Sequence, residues 1–590
     1  MISSGKLSSS GVEDKLGSND KSSGSMEEDN IEYRVGFCGE NLWDSTNACY
    51  LSPEFGFLQD DYSAEEFLFS KYQLHEEKYS EFGLLNDARF NVASPPLDKC
   101  LEEIAKLGED EIPSVISGIG ESKKENKFPF PLASLELLRN YSGGLRRLKR
   151  ERRVMEPSND STCGEVGDKR LSCVEIMKIA GARFIQSSSL EQANNHPFER
   201  SLCGLSNEDT KDVELVELLL ACAEKVGCQQ FERAGKLLNQ CDQLCSTTGN
   251  PVQRVVYYFC EALRGRIDKE TGRSKTKGLG KEQLFDPDVA MMRLNATHHA
   301  FHETIPFSQL SIFAGIQAIV ESVEGAKKIH IIDFAIRSGL QWTVLMQALA
   351  SCHESPLELL KITALGTTQK HVIEETGERL LSFAQTLNIP LSFKIVMVSD
   401  MTHLKQELFE LDFDEKVICY SYFLFRSMLA LPDQLESAMR VMRSLNPCVM
   451  VVTEVEANMN SPSFANRFIE ALFFYGAYFD CLETFMKRDC RNRMAAESLY
   501  FGEGIRNTVA AEGKERKIRN VSIDVWRAFF TRYGLEDVEL SPSSLYQVEL
   551  ILKKFSCEDS CTLDVNGNCL IFLWKGTPIQ SLSVWKSFQY

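Results

Sequence analysis

The chain has 590 residues and a formal net charge of −19, and 43% of its residues are hydrophobic. That length accommodates several domains, or one large domain with a tail, and an apolar share slightly below the globular norm fits a chain that folds only in part. The acidic balance excludes a protein that coats nucleic acid with its whole surface, because phosphate contacts need a positive face, but it leaves room for a local basic patch.

The 19 cysteines are scattered without a CxxC pair. Cys241/Cys245 and Cys557/Cys561 share a spacing of four with no second pair nearby. They read as reduced thiols of an intracellular protein, with no metal expected. The opening MISSGKLSSSG is polar and lacks the apolar stretch of a secretory signal. No apolar run reaches the roughly 18 residues of a bilayer span. A soluble protein without a membrane partner is expected.

Residues 1–170 read as a variable, largely disordered region, most clearly the Ser-, Gly- and charge-rich first 30 residues. From Trp43 to Phe82 acids and aromatics interleave without clean periodicity. Two readings stay open there: a segment that folds on a partner, and an amphipathic helix packed on the main domain. Residues 146–153 read RRLKRERR, where Arg146, Arg147, Lys149, Arg150, Arg152 and Arg153 form a basic cluster in an acidic chain. A nuclear-import signal, a nucleic-acid patch and a solvated helix face are all compatible with it.

Leu171 to Phe184 has the pattern of a short helix, and the folded structure is placed to begin near it. Ser206 with Asp209 gives a capping signal ahead of Leu215, Leu218, Leu219, Cys222, Ala223 and Val226, which recur at helical spacing. A second helix carries Phe231, Ala234, Leu238 and Cys241 on one face, and Asn250-Pro251 starts a third. Three such helices predict a helical cap subdomain. Leu215, Leu218 and Leu219 also spell LxxLL, a pattern that lies in grooves of partner proteins and also arises in ordinary leucine-rich cores. Arg264 to Lys281 reads as a basic, solvated loop. His298, His299 and His302 form HHxxH, but without further ligands they make no metal site.

The stretch KKIHIIDFAIRSGLQWTVLMQAL, residues 327–349, predicts a buried parallel strand, an acid at its carboxyl end (Asp333), a Ser338-Gly339 turn and a helix. This is how a doubly wound α/β domain begins. A phosphate-binding turn needs several glycines so that backbone N–H groups can approach the ligand, yet Ala335, Ile336 and Arg337 fill this turn. Strands follow at Leu359–Leu365, Leu391–Val398, Lys416–Leu424 and Cys448–Val455. Helices are predicted at His371–Thr386, Gln434–Ser444 and Phe464–Tyr478, which implies βαβ units and a parallel sheet. Tyr546–Phe555 and Cys569–Trp574 are expected as strands flanking a turn that contains Asn566-Gly567.

The predicted fold is therefore α/β: a Rossmann-like, methyltransferase-type parallel sheet with a terminal antiparallel hairpin and an N-terminal helical cap. A methyltransferase should carry an acid after strand two for the ribose, but Leu365-Gly366-Thr367-Thr368 has none. Asp400 after strand three is a lone candidate for holding an adenine. Neither GxSxG nor GxxxxGK[ST] occurs. No cofactor and no catalytic residue is assigned.

KIHIIDFAIRSGLQW resembles the VHIID motif of the plant GRAS family through Ile329, His330, Ile331, Ile332 and Asp333. The resemblance extends over residues 171–590 in the family's motif order. Residues 213–267 resemble its first leucine-rich region, 268–356 the VHIID region, 357–411 the second leucine-rich region, 412–519 the PFYRE region and 520–590 the SAW region. Arg488, Asp489, Arg493, Glu497, Arg516 and Arg519 are similar to the PFYRE elements. Trp526, Gly534, Trp574 and Trp585 are similar to the SAW motif, with Leu570 and Val584 beside them. Ala335, Thr343 and Val584 stand where the family usually has an acid, a proline and an alanine, and no DELLA or VHYNP segment occurs.

The resemblance implies a nuclear, non-enzymatic transcriptional regulator in plant developmental, hormonal or symbiotic signalling. Its partners would be other GRAS proteins, as homo- or heterodimers, and DNA-binding transcription factors, with DNA reached directly or through them. Arg516 and Arg519 are expected in buried or interdomain ion pairs, with Asp333 or Glu512 as partners. Trp342, Trp526, Trp574 and Trp585 are expected in the core. A Rossmann-type enzyme using S-adenosylmethionine or another nucleotide, and a direct DNA-binding factor, are the alternatives.

Overall fold

The computed structural model of the chain describes residues 130, 132–142, 170–188, 205–273, 299–351, 357–368, 370–557 and 559–588. The acidic-aromatic segment and the basic cluster at 146–153 lie outside them. All described residues belong to one compact unit.

The fold starts earlier than the sequence pattern placed it. Helix α1, Leu132–Ser142, lies within the region read as variable. Its Tyr141 ring stacks on Phe473 with centroids 4.1 Å apart, and the Tyr141 hydroxyl donates to Glu470. Helix α2, Cys173–Ser188, follows. Helix α3, Asn207–Gly227, is capped as its sequence predicts, with the Ser206 hydroxyl oxygen accepting from the Asp209 N–H at 3.0 Å. Helix α4 spans Phe231–Leu244. Helix α5, Pro251–Glu270, opens with Pro251 at N1 and a capping box between Asn250 and Gln253. The Asn250 side-chain amide also donates to Asp212 of α3, tying the two helix starts together. Because α5 continues to Glu270, the basic stretch from Arg264 begins as helix and not as loop.

Helix α6, Pro306–Ser322, leads into the sheet. The elements that follow are β1 (Lys328–Asp333), α7 (Leu340–Ser351), β2 (Leu359–Gly366), α8 (Lys370–Thr386), β3 (Leu391–Met397), β4 (Lys416–Tyr422), α9 (Pro432–Ser444), β5 (Val449–Val455) and α10 (Phe464–Phe485). These match the predicted alternation, with α10 running past the expected end at Tyr478. An insertion then carries α11 (Arg491–Ala495), a π-helical stretch (Ala496–Gly502) and α12 (Glu503–Val509). The chain closes with α13 (Ile523–Arg532), β6 (Leu535–Val538), α14 (Pro542–Phe555), β7 (Cys561–Asn566), β8 (Cys569–Trp574) and β9 (Thr577–Ser587).

The strand order is β3-β2-β1-β4-β5-β9-β8-β7, with β6 on β9. Strands β1 to β5 pair in parallel, and β9 lies antiparallel between β5 and β8. This is the expected methyltransferase-type sheet. One face packs on α9 and α13, where Leu435, Met439, Trp526 and Phe530 meet Ile332, Phe334, Cys419 and Met450. The other face meets α6, where a Cβ on Gly315 would lie 3.1 Å from Val451.

Two terminal expectations are corrected. Tyr546–Phe555 is not a strand but the body of α14, started by Ser541 as N-cap and Pro542 at N1. Its buried Val548, Ile551 and Leu552 follow helical spacing. The hairpin around Asn566-Gly567 is real, but its first strand is β7. The central strand β9 and the short β6 had no counterpart among the predicted elements.

The LxxLL leucines are not an open docking face: Leu215 and Leu219 are core residues, and Leu218 is half-buried. Leu215→Ala and Leu219→Ala are each expected to cost about 2–5 kcal/mol in denaturant unfolding, with no change in association of the folded fraction. Unchanged stability with lost self-association would overturn that placement.

Candidate functional site

The strand order reverses between β1 and β4, and in open α/β sheets the carboxyl ends beside such a reversal form the ligand crevice. Asp333 ends β1 there and is fully buried. Its Oδ1 accepts from the Ala335 N–H at 3.0 Å, and Oδ2 accepts from the Gln341 side-chain amide at 3.0 Å and the Trp342 indole N–H at 2.8 Å. Burial pushes its carboxyl up to about 6, against these three donors. The acid thus clips α7 to β1 with donors from its own chain, leaving it little capacity for a ribose. Gly339 takes φ +75°, and a Cβ there would lie 3.0 Å from Thr376 and 3.1 Å from Leu380 of α8. The turn is closed by packing rather than opened toward a phosphate.

The histidine of the same motif points elsewhere. His330 is buried between Glu415 (Nδ1 to Oε1, 2.7 Å) and Thr363 (Nε2 to Oγ1, 2.8 Å), and burial lowers its pKa. Trp342 packs edge-on against Tyr420 with centroids 4.9 Å apart. Ile329, Ile331 and Ile332 are core residues.

Beyond Asp333 the crevice holds further charges, two of them the acids that end the fifth strand. Glu454 at the end of β5 accepts the Phe425 N–H at 2.7 Å, and burial pushes its carboxyl up to about 7 against the pull of Arg426 and Arg337. The Arg426 guanidinium lies over the Phe423 ring, 4.9 Å from its centroid. Glu456, two residues on, caps α13 by accepting the Ile523 N–H at 3.1 and 3.0 Å. The charges of the crevice are only partly matched within the protein, since Glu454 Oε2 and Arg337 Nε are buried without a hydrogen-bond partner. Asp400, the lone adenine candidate, instead accepts from its neighbour Thr402.

The PFYRE-like residues act as ties between the helical cap and the insertion. Glu497, in the π-helical stretch, accepts from Arg493 at 2.6 Å and from Arg254 of α5 at 3.0 Å, and all three side chains are buried. Burial raises the Glu497 pKa, and the two guanidiniums oppose that rise. Arg254 also reaches Glu483 at 2.9 Å, which Arg488 holds at 2.6 Å. Asp489 lies in the turn that follows α10.

A second node is Glu512, which pairs with Arg266 of α5 and Arg467 of α10, both at 2.5 Å. The expected pairs of Arg516 and Arg519 are corrected here. Their guanidiniums donate to the backbone carbonyls of Met459 (3.4 Å) and Gly513 (2.8 Å), and Asp333 is engaged elsewhere.

The SAW-like tryptophans are core residues, as expected. Trp574 donates to Asp480 at 2.8 Å, Trp585 to Ser583 at 2.8 Å, and Trp526 stacks on Phe530. Gly534 takes φ +74° against the Arg443 guanidinium. His302 is bonded to Ser308 at 3.1 Å, while His298 lies outside the described residues. Sequence reasoning missed Arg254, Arg426 and Arg467, and it saw Glu454 and Glu456 only as the acids that end the fifth strand, without a role.

The site and fold define a class: a Rossmann-type sheet in methyltransferase order, under a helical cap, with the acid at the end of β1 bonded within its own turn. Residues 215–586 match the model of the GRAS domain family, and the chain belongs to that family of plant transcriptional regulators. It is 28% identical to the DELLA protein GAIP of Cucurbita maxima over 455 residues, 75% of each chain. It is 31% identical to the DELLA protein RGL1 of Arabidopsis thaliana over 389 residues, 66% of this chain and 72% of that one. The crystal structure of SCL7 in Oryza sativa is similar with a TM-score of 0.55 at 26% identity, covering 63% of this chain and 99% of that chain.

Glu454 generates a pH prediction. A carboxyl that holds its proton more tightly when folded stabilises fully below its ordinary value of 4.5, and that contribution fades as pH rises through about 7. Glu454→Gln removes this loss, worth on the order of 3 kcal/mol for a fully buried group. Its melting temperature should fall less than that of the parent between about pH 5 and pH 8. Parallel curves would show that Glu454 does not titrate in this range.

Proposed function

We propose that this chain is a nuclear transcriptional regulator that acts through protein contacts, binding other GRAS proteins and DNA-binding factors and reaching DNA through them. The observation that carries the reading is the closed turn after β1 in a GRAS family member. Asp333 gives its carboxylate to Ala335, Gln341 and Trp342, so this acid holds the turn rather than a ribose in this reading. The net charge of −19 also favours contact with proteins over unaided contact with DNA.

The basic cluster RRLKRERR supplies the import signal in this reading. Changing Arg146, Arg147, Lys149, Arg150, Arg152 and Arg153 to Ala should move a fluorescent fusion from nucleus to cytoplasm and abolish its effect on a target promoter. Restoring a foreign import signal should bring both back. A nuclear distribution that survives the change would remove the cluster from the reading.

The enzyme alternative is tested by titration calorimetry of the full chain with S-adenosylmethionine, S-adenosylhomocysteine and NAD. No binding is expected at micromolar concentrations of protein. Micromolar affinity that is lost in Asp333→Asn would overturn the regulatory reading in favour of a nucleotide site.

A further inference from the structure

The three cap helices bring together thiols that are far apart in the sequence. Cys241 and Cys245 sit four residues apart at the end of α4, which puts them on one side of that helix. Cys260 comes from the middle of α5, and its thiol lies against both of them. Cys222 of α3 completes the row, its sulfur 3.8 Å from that of Cys241. The sulfurs of Cys245 and Cys260 and a carboxylate oxygen of Asp242 all lie within 4.8 Å of one another.

We propose that Asp242, Cys245 and Cys260, with Cys241 as the fourth ligand, form a binding site for a thiophilic divalent cation of the zinc class. Zinc bonds sulfur at about 2.3 Å in a tetrahedron, so its ligand atoms stand about 3.8 Å apart. Asp242, Cys245 and Cys260 already approach that spacing, within 4.8 Å of one another, and Cys241 would have to turn toward them. Soft thiolates with one carboxylate select zinc over the hard cations magnesium and calcium, which take oxygen ligands.

The surroundings suit a charged centre with an entry side. Cys241 and Cys260 are buried, Cys245 is half-buried and Asp242 is exposed, so an ion can arrive from solvent through the carboxylate. Arg264 of α5 pairs with Asp242 and offsets the excess negative charge of three thiolates and a carboxylate around a dication. All described cysteines of the chain are free thiols, the form that ligates metal after losing its proton. Bound there, the cation would join α4 to α5.

The test uses the full chain purified without chelator. Elemental analysis should give about one zinc per chain, and cobalt exchange should produce the thiolate-to-metal absorption of a tetrahedral site. Cys245→Ser with Cys260→Ser should lower the metal content at least about tenfold, while Cys490→Ser, outside the cluster, should not. If the double variant fails to fold, Asp242→Asn at the exposed edge should weaken zinc about tenfold or more in competition with a chromophoric chelator.

Three outcomes would overturn the site. One is a parent chain that takes up neither zinc nor cobalt, and another is a metal content or affinity unchanged by both sets of substitutions. The third is an intact mass and alkylation pattern showing Cys245 and Cys260 joined as a disulfide in the freshly purified protein.

Discussion

One buried carboxylate organises the body of this protein. Asp333 sits where β1 ends and receives three hydrogen bonds from the segment that immediately follows it. A buried ionisable group left unpaired would be costly, so the turn must keep these donors in place for the strand to remain central. With Trp342 fixed by its indole N–H, α7 lies down on the sheet and Tyr420 of the neighbouring strand is covered. In nucleotide-binding relatives of this architecture the same place is given to glycines and a ligand. Here Asp333 is bonded by the chain's own N–H groups.

The cap and body are held together by a second principle, arginine sharing. Glu497 serves Arg254 of α5 and Arg493 of the insertion, and Glu512 serves Arg266 of α5 and Arg467 of α10. Removing either acid would strand buried positive charge, which makes such nodes intolerant of single changes. They do not add large net stability over an apolar core. Their effect is to fix how α5 sits against α10 and the insertion, so that the cap presents one surface rather than several.

Much of this was legible from the chain alone where local chemistry decides structure. Ser206, Asn250 and Pro251 mark helix starts by capping rules, and the apolar runs around Ile331, Ile362, Ile418 and Val451 are long enough to be read as buried strands. The end of the chain was harder. Tyr546–Phe555 carries enough Val, Ile and Leu to pass for a strand, and only Ser541-Pro542 ahead of it and two lysines in its last turn signal a helix. The PFYRE and SAW residues could be placed by resemblance, but their partners could not. Arg254 and Glu497 are 243 positions apart, and periodicity carries no information at that range. The cysteine row was hidden for the same reason, since a spacing of four gave one pair and the fold supplied the rest.

Strand β9 is the last strand along the chain, yet it occupies an inner place in the sheet, bonded to β5 on one side and β8 on the other. On the ribosome, the five parallel strands are therefore made long before the piece that covers the flank of β5. Until residues 577–587 emerge, an apolar edge stands open to any passing strand, and that interval is when chaperones would matter most.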